Sequence, residues 1–337
     1  MNTTSITGNA TELVRPWLYA QPTGPAQPAV IIWTVITCLT SLAGNSVVLV
    51  SSLKYNAVVL DRFSVSLIRH LSLADIGFGV YALLTLGYVV SGENVYGQIP
   101  CYVISMAGHL FVGVDTSLVC GLNISKLTVL IFPLQRRTRT SRQGNCVAAA
   151  VWVVLLSCIT LSLCLFLFNP VKETIVFKAA MNKCSSQLSP GFETILQIAI
   201  GLVFVLLPTL VILFTTACLL SYLRRQRRGG ELQRQGLITH LLISGIFCVA
   251  YTPAGCYNIL DALLSQEEKE EDWFSAYFIF SNYIVYMNYA CNPIIYLYTI
   301  QSYRHFIQMK VKDASRNIRY TAARFINIRL WRMRHPT

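Results

Sequence analysis

Apolar residues fall into seven blocks along the chain, at roughly 29–53, 63–90, 98–131, 146–168, 193–223, 235–264 and 273–299. Each reaches or exceeds the about 20 mostly apolar residues that a helix needs to cross a bilayer. Lipid offers backbone N–H and C=O groups no partner, so blocks of this length must be helical. The first block follows a polar stretch and is too long for a cleaved signal peptide. The pattern predicts an all-α membrane protein with an outer segment at 1–28, a seven-helix bundle at 29–299 and a tail at 300–337.

Composition agrees: 54% of residues are hydrophobic and 12% charged, against about 25% charged in a typical soluble domain. Twenty of the 27 Lys and Arg residues fall in loops and tail on one side of the spans and five on the other, with Arg69 and Lys126 inside spans. Positive charge gathers on the cytoplasmic side. The amino terminus is therefore expected outside and the carboxyl terminus inside, with the protein in the plasma membrane. The net charge of +12 sits in short loops at membrane boundaries, a placement that suits anionic lipid and an acidic cytoplasmic partner better than nucleic acid. Asn2 and Asn9 each open an Asn-x-Thr acceptor for glycosylation on the outer side.

Nine of the eleven cysteines lie within or beside spans, where a thiol behaves as a small apolar group. Cys101 and Cys184 differ. One opens the third span on the outer side, the other sits in the outer loop between spans four and five, and that compartment is oxidising. A bridge between them would pin the loop over the mouth of the bundle. No spacing of Cys, His or acids indicates a metal.

Polar and helix-breaking residues inside spans are expensive and mark function. Span one carries Gly44-Asn45-Ser46-Val47-Val48 and span two Leu71-Ser72-Leu73-Ala74-Asp75. Trp152 lies in span four, Pro208 in span five, and Phe247 with Ala250-Tyr251-Thr252-Pro253 in span six. Span seven ends in Asn292-Pro293-Ile294-Ile295-Tyr296, followed by Tyr303-Arg304-His305-Phe306. In this order and placement the motifs resemble those of rhodopsin-like, class A G-protein-coupled receptors, over roughly residues 29–312. The resemblance implies a seven-transmembrane bundle with a short amphipathic eighth helix, an extracellular ligand, a heterotrimeric G protein as partner, and no enzymatic activity.

Further expectations follow from it. Asp75, Asn288 and Asn292 match residues that surround a sodium ion in the family. Asp115 falls at the same depth, where the family more often has Ser, so two carboxylates should face each other. Like charges that close ionise together only around a cation; otherwise one holds a proton. Apart from such a sodium ion no cofactor is expected. Phe247, Tyr251, Pro253, Asn292, Pro293 and Tyr296 form the activation switch, in which Tyr251 replaces the usual Trp as an aromatic lever beneath the ligand and helix six swings outward at its inner end. Gly108 stands where amine receptors carry Asp, which disfavours a monoamine. The candidate ligand pocket comprises Gly108, His109, Val112, Tyr251, Asn258, Asn282 and Tyr286, suited to a neutral, partly apolar ligand, with a peptide also compatible; His109 serves equally well as a packing residue.

The family's Asp-Arg-Tyr at the inner end of span three is replaced by Ser125-Lys126-Leu127. Lys keeps the charge but loses the planar fork of Arg, and the restraining acid is missing. Together with Arg224 and Arg225 these residues form the expected G-protein face. The alternative is a receptor-fold protein that binds ligand with weak or no coupling. An opsin would need a Lys in span seven, and residues 273–299 contain none. A hydrolase would need clustered metal ligands, whereas the five His residues are scattered. The prolines lack the two-half symmetry of a transporter.

Overall fold

The computed structural model describes residues 26–54, 60–91, 94–132, 138–167, 175–178, 183–186, 201–225, 231–264, 268, 272–310, 312–313 and 315–317. The glycosylation acceptors Asn2 and Asn9, most of the acidic run at 266–272 and the end of the tail lie outside them. Seven long helices appear where the apolar blocks predict them: α1 (Ala26–Lys54), α2 (Arg62–Ser91), α3 (Gln98–Ile131), α4 (Ser141–Leu167), α5 (Leu207–Arg225), α6 (Glu231–Leu263) and α7 (Asp272–Thr299). At about 1.5 Å rise per residue, each is roughly 30 Å or longer, the thickness of a hydrocarbon core. Among the described residues, six are long and apolar enough to cross a membrane. The seventh, α7, is 28 residues long, and Asn282, Asn288, Asn292 and its tyrosines interrupt its apolar run.

The helices close into a ring in which α1 packs on α2 and α7, α7 on α6, α6 on α5, and α5 on α3, while α2 also meets α3 and α4. The most deeply buried of the candidate spans is α3. Large apolar side chains such as Ile36, Leu53, Leu161 and Phe214 point outward and are exposed, an arrangement that lipid rather than water accommodates. A short helix, α8 (301–310), follows α7. It buries Tyr303 and Phe306, three residues apart, and exposes Arg304 and His305, so it is amphipathic. Burial pushes the Tyr303 hydroxyl up to about 12.

Two features depart from the sequence expectation. A two-stranded antiparallel hairpin, β1 (Ile175–Lys178) with β2 (Lys183–Ser186), packs against α3 and pairs Phe177 with Cys184. Strands this short leave no hydrophobic period to read. A turn of π-helix, Gly201–Leu206, leads into α5 ahead of Pro208. Such turns arise where the regular i to i−4 pattern is broken, and Pro208 has no N–H to continue it.

Pro293 shows how a proline is accommodated. Its ring deletes the N–H that would bond the carbonyl of Tyr289 four residues earlier, and Asn45 on α1 donates its Nδ2 to that carbonyl at 3.1 Å. Gly44 lets the ring approach, since a Cβ at that position would lie 2.7 Å from the Pro293 side chain. Gly44-Asn45 is thus the partner of Asn292-Pro293. Asn45→Ala leaves a buried carbonyl unpaired, a cost of about 1–3 kcal/mol; the thermal midpoint of the purified protein should fall by several degrees, and an unchanged midpoint would refute the assignment.

Candidate functional site in the bundle core

Asp75 on α2 is fully buried. Its Oδ2 accepts Asn292 Nδ2 at 3.1 Å, and its main-chain carbonyl accepts Ser41 Oγ at 2.9 Å. Asp115 on α3 is equally buried. Its Oδ2 accepts the Tyr251 hydroxyl at 3.0 Å and Asn288 Nδ2 at 2.8 Å. The two carboxylates lie close enough to interact electrostatically. Their amide partners share a face because Asn288 and Asn292 are one turn apart on α7.

Each carboxylate uses one oxygen. Oδ1 of Asp75, Asp115, Asn288 and Asn292 is buried without a protein partner. All four are acceptors when the acids are ionised, so the core is rich in lone pairs. Hard oxygen ligands of this kind suit an alkali or alkaline-earth cation, and these four residues would be the ones to hold it.

Above α3, the Tyr251 ring stacks on Phe247 with centroids 4.4 Å apart, and both are buried. Pro253 lies two residues further along α6, and its carbonyl accepts the Tyr277 hydroxyl at 2.9 Å. The Tyr251 hydroxyl also meets that of Tyr289 at 2.8 Å. Tyr289 in turn stacks on Phe78 at 3.6 Å between centroids, and Phe78 contacts Tyr81 and Tyr286 at 5.3 and 5.1 Å. Sequence reasoning missed this aromatic column. Its signal was present in the run Tyr286, Tyr289, Asn292, whose spacing of three places all of them near one face of α7. Tyr296, further along α7, is fully buried.

The candidate pocket residues differ in their surroundings, with Val112, Tyr251 and Tyr286 in one cluster. At Gly108 a Cβ would lie 2.7 Å from the Tyr81 ring, so Tyr81 occupies the place of a side chain there. His109 is exposed, and its Nδ1 lies 2.8 Å from the Ser105 carbonyl. Asn282 is exposed and donates to the Phe278 carbonyl of its own helix at 2.9 Å. Val112 packs against the main core, Tyr286 is half-buried beside Phe78, and Asn258 is half-buried. Residues 187–200, ahead of α5, lie outside the described residues.

At the α8 end of α3, Ser125 and Lys126 are buried and Leu127 is half-buried. Arg139, beyond the loop to α4, donates from Nη1 to the Ser125 carbonyl at 3.1 Å and to its Oγ at 2.5 Å, while its guanidinium lies 5.2 Å over the Phe63 ring. A cation therefore meets the position where the family has its acid. Lys126 interacts electrostatically with buried His240 on α6. Arg224 is exposed at the end of α5, and Arg225 closes that helix. At the opposite end, Cys101 is buried and disulfide-bonded. The nine free thiols are those at the other positions, Cys184 apart.

No curated protein matches the chain. Residues 44–296 match the family model described as the 7 transmembrane receptor (rhodopsin family). That span runs from Gly44, which receives Pro293, to Tyr296 at the end of the asparagine-proline motif, and contains Asp75, Asp115, Tyr251, Asn288 and Asn292. The chain is a multi-pass membrane protein of the rhodopsin family of seven-transmembrane receptors.

Proposed function

We propose that this receptor binds an extracellular ligand other than a monoamine and activates a heterotrimeric G protein through movement of α6. The amino terminus then faces outward at the plasma membrane, and the α8 end with its Arg and Lys residues meets the G protein. The observation that carries the reading is the position of Tyr251. It sits beside the backbone break at Pro253 and is tied by its hydroxyl to α3 and α7, so a ligand pressing on the aromatic column would reach α6 directly. Tyr81 filling the space at Gly108 supports the exclusion of amines, because no acid stands there and the volume for one is taken.

The disulfide of Cys101 runs to Cys184 in this reading and holds the hairpin over the mouth of the bundle. A sodium ion or a proton sits between Asp75 and Asp115. The test is a panel of second-messenger assays in cells supplied with each class of G protein, first without ligand and then against lipid, small neutral and peptide libraries. Ligand-dependent output in one class is expected. Silence in every class at normal surface expression would overturn coupling and favour the second reading, a ligand-binding protein of receptor fold that does not signal, for which the Ser125 contact of Arg139 is the specific support.

A further inference from the structure

We infer that α6 carries a second bend point at Ser244-Gly245, inward of Pro253, and that a hydrogen bond from Ser244 to Asn123 on α3 keeps it straight. The proposal rests on the reading of α6 as the moving element and adds where its inner segment turns and what restrains it. Three observations carry it. Ser244 and Asn123 are both buried, and the Ser244 hydroxyl donates to Asn123 Oδ1 at 2.7 Å; Asn123 Nδ2 donates to the Val119 carbonyl of its own helix at 2.9 Å, which leaves its oxygen turned toward α6. The same Ser244 hydroxyl lies 2.8 Å from a second acceptor, the His240 carbonyl one turn earlier on α6. Gly245, the next residue, is exposed, and a Cβ there would meet nothing within 4 Å.

A serine hydroxyl carries a single proton, so Ser244 serves one of these acceptors fully at a time. Given to Asn123, the proton ties α6 to α3. Given to His240, it travels with α6 and leaves the helix free of α3, and a serine bonded to the carbonyl four residues back bends its helix. Glycine-serine pairs are among the recognised causes of helix kinks. The two faces fit an outward turn of the inner segment. Such a turn makes the lipid side of α6 concave, where Gly245 has no side chain to crowd it. It stretches the core side, where the Ser244 hydroxyl takes over the His240 carbonyl as the backbone bond lengthens. Packing supplies no other reason for this glycine: at Gly255 of the same helix a Cβ would lie 2.6 Å from Val205, whereas Gly245 faces open space, and a helix interior otherwise favours alanine over glycine. Both partners of the tie are neutral, so it is about half as strong as a charge-assisted one and is readily released.

The test uses the purified full-length receptor in lipid nanodiscs, with an environment-sensitive fluorescent amino acid replacing exposed Arg234 at the α8 end of α6. The probe reports helix position without any G protein, so a failure of coupling and a failure of the bend point give different results. Asn123→Ala removes the acceptor on α3 and should raise the displaced population about fivefold, the ratio that one neutral hydrogen bond maintains. If Asn123 served packing alone, its loss would lower the thermal midpoint and leave the probe where it is. Gly245→Ala adds a methyl group in open space and should lower the displaced population about fivefold, in keeping with the preference of a helix for alanine. The two substitutions together should bring the probe back near its native signal. A probe unmoved by Asn123→Ala, or a displacement that persists undiminished in the double variant, would overturn the proposal. Should Asn123→Ala fail to fold, Gly245→Ala decides alone: a displaced population equal to or above the native one would overturn the proposal equally.

Discussion

Basal second-messenger output should fall about tenfold when Ser125 is replaced by Asp. Arg139 Nη1 already stands 2.5 Å from Ser125 Oγ, and the neighbouring Lys126 is buried beside it. A carboxylate at this position would receive a guanidinium in place and convert a hydrogen bond to a hydroxyl into an ion pair. Charge-assisted hydrogen bonds of this kind contribute about 1.5–3 kcal/mol, and 1.4 kcal/mol corresponds to a factor of ten in population. Ser125→Asp combined with Lys126→Arg should fall at least as far, because it restores the fork that Lys lacks. Adding Arg139→Ala to Ser125→Asp should return part of the output, which would separate the loop cation from Lys126. Equal output in the native protein and both Asp variants, at matched surface expression, would show that this end of α3 exerts no restraint.

The second large effect is expected at the opposite end. Cys101→Ser should reduce surface expression several-fold, since removing a native disulfide from a small secreted domain costs about 2–5 kcal/mol and the lost bond, in the proposed pairing with Cys184, fastens β1 and β2 to α3. Cys184→Ser should do the same, and the double variant should be no worse than either single one, as expected when two residues serve one bond. Additive losses in the double variant would mean that Cys101 and Cys184 act separately. Native expression in both single variants would mean that the hairpin stays in place without the bond.

The spans were legible because hydrophobic run length is a one-dimensional signal and the membrane sets its scale. Even α7, interrupted by three asparagines, was marked by Asn292-Pro293 and by its tyrosines. The depth of Asp115 was legible too, since counting back along a regular helix from Lys126 fixes its level relative to Asp75. The contacts between helices were hidden. That Tyr289, not only Asn288, turns toward Tyr251 depends on the rotation of α7, which no local pattern states. Tyr81 filling the volume at Gly108 is a contact between α2 and α3, and the glycine alone read as an open position in a pocket. Arg139 was visible only as one more charge in a basic stretch; its contact with Ser125 joins positions that no local pattern brings together. The hairpin and the π-turn are too short to carry a period.

The hydrogen bond between Tyr251 and Asp115 also has an evolutionary meaning. Most family members carry tryptophan at the first position and serine at the second. With tryptophan at position 251, the buried carboxylate of Asp115 loses a phenolic donor and keeps only Asn288. With serine at position 115, the Tyr251 hydroxyl loses its acceptor across the bundle and keeps only Tyr289. Either single exchange removes one buried hydrogen bond, worth about 0.5–3 kcal/mol depending on the charge of the acceptor, so the two positions are epistatic. A chimera that borrows α3 or α6 alone from another receptor inherits half of the pair, and only the exchange of both helices together preserves a matched core.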